Sequence, residues 1–142
     1  SEEFGRHEGL SLIPGRVRLL DPGLEGRFKI PHIGWNTLLP YNQAPGTMAE
    51  DGSKRAWEGT VLQDVPEGSF MYFVHSYYAQ PVDSNIVLST TSYGQNDFCS
   101  SFRLGNVFGC QFHPERSGGS GIHIYQNLAT QLSAMNEESQ LA

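Results

Sequence analysis

The chain has 142 residues, 38% of them hydrophobic and 17% charged, with 16 glycines, a balance that suits one turn-rich globular domain and excludes a disordered tail. Its formal net charge of -6, with lysines and arginines scattered, leaves no stripe to neutralise a phosphate backbone, so nucleic acid is not expected as a partner. No run approaches the roughly 20 apolar residues of a membrane span and no signal-peptide pattern opens the chain, so no membrane association and a cytoplasmic location are expected.

Two cysteines, Cys99 and Cys110, allow at most one disulfide, too few for a secreted framework. The chain begins at Ser1, without a methionine and with no strand ahead of its turn-rich opening. It is therefore expected to be truncated at its amino terminus, a partial domain over residues 1–142.

Short apolar runs at Leu10–Ile13, Val17–Leu20 and Phe28–Ile33, separated by Pro14-Gly15, Pro22-Gly23 and Pro31, predict short strands joined by tight turns. Residues 41–60 are polar and irregular and predict a surface loop in which Trp57 packs back. Phe70–Tyr78, rich in aromatic and β-branched residues, predicts one largely buried strand, and Ile86–Tyr93 another. Phe98–Leu104 and Val107–Phe112 flank Gly105-Asn106 and predict a hairpin. After Gly118, Gly119 and Gly121, the residues Ile122, Tyr125, Leu128, Ala129, Leu132 and Met135 recur at helical spacing, which predicts an amphipathic helix on a sheet, with 136–142 as a frayed tail.

The chemistry concentrates in "GNVFGCQFHPERSG", residues 105–118. A residue before proline is kept out of the helical region, so His113 is expected to be extended and to share a face with Glu115, two residues or roughly 6.6 Å along a strand. A glutamate there can fix the imidazole tautomer and stabilise the imidazolium, leaving the other ring nitrogen to take a proton. A surface polar pair or a loop hydrogen bond has the same spelling. Position favours the chemical reading, because the pair ends an apolar strand and precedes a glycine-rich helix start, where open α/β sheets place their sites.

"FHPE" (112–115) with "YFVHSYY" (72–78) resembles the glutamine amidotransferases, whose Cys-His-Glu triad hydrolyses the side-chain amide of glutamine. "GLSLIPGRV" (9–17), "KIPHIGWNTL" (29–38) and "GNVFGCQFHPERSGGSG" (105–121) narrow the resemblance to the glutaminase subunits of imidazole glycerol phosphate synthases. The resemblance implies a three-layer, flavodoxin-like α/β fold, here truncated, with His113 and Glu115 as triad members. It implies that the backbone around Ser76 and Tyr77 holds the substrate glutamine. Trp35, Asn36 and Arg116 would lie at the interface with a (β/α)₈ cyclase or synthase subunit. Such relatives usually carry lysine at the position of Arg116; arginine keeps the charge but not the geometry. No cofactor and no metal are implied.

The family's nucleophile sits in a Gly-x-Cys-x-Gly turn, which does not occur in these residues. Cys110 is three residues before His113, an odd offset that puts the two on opposite faces of one strand, and Cys99 lies mid-strand without a glycine turn. Both are expected to be packing residues, so the chain as given is expected to be inactive on glutamine. The truncation is expected to expose strand edges and an apolar face. His75 is expected to be a hydrogen-bonded structural group, and His7, His32 and His123 have no partner at metal-ligand spacing. The glycines at 118, 119 and 121 could cradle an anion or bring the backbone close to the site. Tyr72, Tyr77 and Tyr78 are expected to divide between core and pocket wall. Two alternatives stay open: a paralogous subunit feeding ammonia to a sugar-modifying enzyme of surface polysaccharide biosynthesis, and a non-catalytic binding relative.

Overall fold

A computed structural model of the chain describes residues 1–41 and 57–140. The strands are β1 (Gly15–Leu19), β2 (His32–Thr37), β3 (Leu39–Pro40), β4 (Phe70–His75), β5 (Tyr77–Pro81), β6 (Val87–Tyr93), β7 (Asn96–Leu104) and β8 (Val107–Cys110). One helix, α1 (Gly118–Gln140), closes the described chain, and short 3₁₀ turns occupy Leu24–Gly26, Ser84–Ile86 and Pro114–Arg116. The architecture is mixed α/β, as expected. All strand pairings among the described residues are antiparallel: β1 with β5, β2 with β4, and a four-stranded sheet in the order β3-β6-β7-β8.

β4 shows why this sequence makes strand. Its residues alternate, with Met71, Phe73 and His75 buried and Phe70 and Val74 exposed, the period of two expected of a pleated ribbon with one face in a core. Phe73 stands edge-on to Phe98 of β7 and to Phe112, with both ring centroids 5.9 Å away. Leu20, Leu38, Leu62, Leu88 and Ile124 complete the core around them. Trp57 is fully buried and its indole N–H donates to the Leu88 carbonyl at 2.7 Å, so it packs back as expected. The rest of the expected 41–60 loop falls largely on residues 42–56, outside the described residues.

The β7–β8 hairpin turns on Gly105 and Asn106, and Leu104 faces Val107 across a two-residue loop. Gly105 has φ +58°, the left-handed conformation such a turn demands. β8 stops at Cys110, short of the expected Phe112.

Three further expectations are corrected. Leu10–Ile13 forms no strand, and in the Phe28–Ile33 run the strand begins only at His32, just past Pro31, whose ring nitrogen has no proton to donate to a ladder. The expected strand Phe70–Tyr78 is broken at Ser76: β4 pairs with β2, whereas β5 pairs with β1. The helix begins at Gly118, as expected, and its backbone continues through Gln140.

The helix also buries a different stripe from the one expected. Gly121 and Ile124 face inward, with Leu128 half-buried, whereas Ile122, Tyr125, Ala129 and Leu132 are exposed. The cause is close backbone approach: a Cβ on Gly121 would lie 1.9 Å from the Pro114 carbonyl oxygen. Only glycine lets the helix sit there, and that contact fixes its rotation. No helix among the described residues is long and apolar enough to cross a membrane.

Candidate active site

His113 is placed by main-chain and hydroxyl contacts before its side chain does anything. Buried Phe112 anchors the segment, and the His113 N–H donates to the Tyr72 carbonyl of β4 at 2.9 Å. The Ser117 hydroxyl accepts from the Tyr72 N–H at 3.0 Å and donates to the His113 carbonyl at 2.6 Å, clamping the loop to the strand from both sides. His113 is extended (φ -102°, ψ 97°), as a residue before proline should be. Pro114 then opens a 3₁₀ turn, where its missing N–H costs nothing.

That turn corrects the geometry expected of the pair. His113 and Glu115 do not alternate along a strand, because β8 has already ended; the 3₁₀ turn folds the glutamate back instead. Glu115 Oε1 lies 2.7 Å from His113 Nδ1. A carboxylate only accepts, so Nδ1 carries a proton, and in the neutral ring Nε2 keeps its lone pair. The Glu115 carboxyl is held below its ordinary range, first by its own backbone N–H and then by the imidazole and the Arg116 charge. Both side chains are about half exposed, at 40% and 52%, so a small molecule can reach Nε2. The arrangement can serve as a base with its orienter, chemically able to take a proton from an acid and return it to a leaving group.

Neither cysteine is poised to ionise. Burial pushes the Cys99 thiol up to about 12 and the Cys110 thiol up to about 11, the latter raised further by the Glu115 charge. Each S–H donates to a backbone carbonyl, Ser101 and Phe112 respectively, at 3.4 Å. The strand-face argument for Cys110 does not apply, since the chain leaves the strand after it, but burial leads to the same result: both cysteines pack.

Ser76 and Tyr77 lie at the junction of β4 and β5, on the same ribbon as Tyr72 but about 13 Å further along. The Ser76 carbonyl accepts from the Leu20 N–H at 2.9 Å, and the Tyr77 carbonyl from His75 Nδ1 at 2.9 Å. Trp35 and Arg116 do come together, through Tyr72: the indole stands edge-on to the Tyr72 ring at 5.9 Å, and the guanidinium carbon sits 4.6 Å above it. Ile33, Phe70 and Val74 are exposed on the same β2–β4 face. Asn36 does not join that surface. It alternates to the opposite face of β2, where its amide donates to the Ser92 carbonyl at 2.9 Å and to His32 Nε2 at 3.4 Å.

Of the three tyrosines, all half-buried, Tyr78 packs against Phe98 at 5.8 Å, whereas Tyr72 lies on the outer β2–β4 face with Trp35 rather than on a pocket wall. Two groups escaped the sequence reading. Ser117 carries only a hydroxyl within a glycine-rich run, and nothing marks it before the loop geometry is known. His32 is more instructive. Its sequence neighbourhood offers no partner at metal-ligand spacing, yet its Nδ1 lies 3.0 Å from His75 Nε2, and both rings are buried.

The model of the family "Glutamine amidotransferase class-I" matches residues 3–132. Among curated relatives, the imidazole glycerol phosphate synthase subunit HisH of Chlorobium luteolum is 36% identical over 129 residues, covering 91% of this chain and 55% of that protein. The HisH subunit of Syntrophotalea carbinolica is 38% identical over 131 residues (90% and 56%), and that of Aquifex aeolicus 41% over 131 residues (90% and 52%). The chain thus spans about half the length of the curated relatives it matches. With the matched region running through the His113–Glu115 pair and nearly the whole described fold, the chain belongs to the class-I glutamine amidotransferase family.

Proposed function

We propose that these residues form the part of a glutaminase subunit of imidazole glycerol phosphate synthase that carries the base and its orienter. The observation that carries the reading is the 2.7 Å contact between His113 Nδ1 and Glu115 Oε1, which leaves Nε2 bare and reachable. A cysteine thiolate, supplied from outside these residues, attacks the glutamine carboxamide carbon after Nε2 takes its proton. The imidazolium returns that proton to the departing nitrogen, ammonia leaves, and water then releases glutamate from the thioester. Glu115 holds the ring and its charge throughout. The raised thiols of Cys99 and Cys110 speak against either as the nucleophile, and on this reading the chain by itself does not hydrolyse glutamine.

Ammonia passes to a (β/α)₈ cyclase subunit in a cytoplasmic heterodimer of the histidine pathway. The exposed β2–β4 face with Trp35, Tyr72 and Arg116 is the docking surface we assign to that subunit. Ser76 and Tyr77 are assigned to the substrate glutamine. No cofactor is required. Arg116 favours one second reading, because a planar guanidinium stacked on Tyr72 presents a different partner contact from a lysine ammonium. That reading is a paralogous subunit supplying a sugar-modifying enzyme of surface polysaccharide biosynthesis.

The test is glutamate release by the complete reading frame that encodes this chain, with and without a histidine-pathway cyclase subunit. Stimulation by that subunit, lost in His113→Ala, establishes the function. Activity that appears only with a sugar-modifying partner moves the assignment to the paralogue. Silence with every partner leaves a binding relative.

A further inference from the structure

The most deeply buried imidazoles of the described chain take no part in the proton transfer proposed above. His32 and His75 face each other in register across β2 and β4. His75 Nδ1 lies 2.9 Å from the Tyr77 carbonyl, which can only accept, so Nδ1 is protonated and Nε2 is bare. His32 Nδ1 lies 3.0 Å from that bare nitrogen and must therefore donate to it. His32 Nε2 is left to accept from the Asn36 amide at 3.4 Å, and Asn36 Oδ1 accepts from the Thr37 N–H at 2.8 Å. Each tautomer fixes the next, and the chain runs one way, from Asn36 to the Tyr77 carbonyl. The rings cannot swing aside: His32 stacks on Tyr93 at 4.1 Å and on Phe73 at 5.1 Å, and His75 meets Phe98 at 4.9 Å.

The end of this chain is the place where the ribbon changes partners. At Ser76 the polypeptide leaves the β2–β4 ladder for β1–β5, so no single ladder holds both sides of the junction. The His75 contact to the carbonyl two residues on spans that break. We propose that His75, its tautomer held by His32, is the end of a positioning relay that sets the Ser76–Tyr77 backbone for a glutamine substrate. His32 and His75 touch no substrate; they act through the Tyr77 carbonyl. The inference rests on the glutaminase reading. A turn preset in its bound conformation raises affinity without new contacts.

Two near-isosteric variants separate positioning from packing. His75→Asn keeps an amide N–H near the Nδ1 position, able to donate to Tyr77, and loses the acceptor for His32. His75→Gln keeps an acceptor near the Nε2 position and loses the Tyr77 bond. Each deletes one hydrogen bond, so their unfolding midpoints should agree. In the complete protein with its cyclase partner, KM for glutamine should be about fivefold higher in His75→Gln than in His75→Asn, with similar kcat, as expected for one lost neutral hydrogen bond felt in binding alone. Equal KM values in the two variants, with the parent active, overturn the relay and leave the glutaminase intact. A parent that releases no glutamate overturns the function itself and the relay with it. Nitrogen NMR of the imidazoles is an independent check: both rings should be Nδ1–H tautomers, and an Nε2–H His75 overturns the geometry whatever the activity.

Discussion

Acidification should loosen this fold through His32. Its folded-state value lies at about 4 against 6.5 for the free side chain, first because burial disfavours the charged form and second because of His75, whose own value is lowered chiefly by burial. The hydrogen bonds give the cause an atomic form. A proton added to His75 Nε2 would confront the His32 Nδ1–H, and one added to His32 Nε2 would confront the Asn36 amide. The unfolded chain thus binds the proton more readily than the folded one between pH 6.5 and 4. Stability is fully present above 6.5 and falls as the pH drops towards 4. Integrated for His32 alone, the loss between pH 7 and pH 5 is about 2 kcal/mol. The assay is thermal unfolding of the complete protein at both pH values, for the parent and for His32→Asn, which keeps a donor towards His75 but cannot titrate. The parent should lose about 2 kcal/mol more than the variant, or about 4–8 °C in midpoint for a chain of roughly 150–250 residues. Equal losses in the two proteins would refute the assignment of a buried neutral imidazole at this position.

Removing the base, as His113→Ala, should lower glutamate release by about 10² to 10⁴. Glu115→Gln, which keeps an acceptor for Nδ1 but not the charge, should lose less, about tenfold; a coupled glutamate assay reads both. Trp35→Ala should weaken capture of the cyclase subunit by about 1–3 kcal/mol, as truncation of an aromatic interface anchor does. Arg116→Met should weaken it by about 0.5–1 kcal/mol through loss of the stack on Tyr72; titration calorimetry compares the two. Gly121→Ala should destabilise the protein by about 1–3 kcal/mol, because its Cβ would overlap the Pro114 carbonyl and push α1 away. Glutamate release should fall with it, since Pro114 holds the turn between His113 and Glu115.

What the sequence discloses about this chain is what neighbouring residues decide among themselves. The β7–β8 hairpin is legible because Gly105-Asn106 is a turn with a mechanism, and His113–Glu115 because proline constrains one member and a single turn brings back the other. The rotation of α1 is not legible. Apolar residues stand on both sides of the helix, Ile122, Tyr125 and Leu132 on one and Ile124 and Leu128 on the other, and hydrophobicity alone does not choose between them. A contact does, at Gly121 against the Pro114 carbonyl, and it becomes visible only when the two backbones meet. The break at Ser76 is hidden for a related reason. "FMYFVHSYY" stays aromatic and β-branched through the junction while its partner changes from β2 to β1, and composition does not record partners. The His32–His75 pair lies furthest from view, because its members are 43 positions apart and meet only in one register. Slipping β2 by one residue would set Ile33 opposite His75 and turn His32 out to solvent. The alternation of β4 enforces the observed register by burying Met71 and Phe73, so the apolar residues that fix the core also join the two histidines.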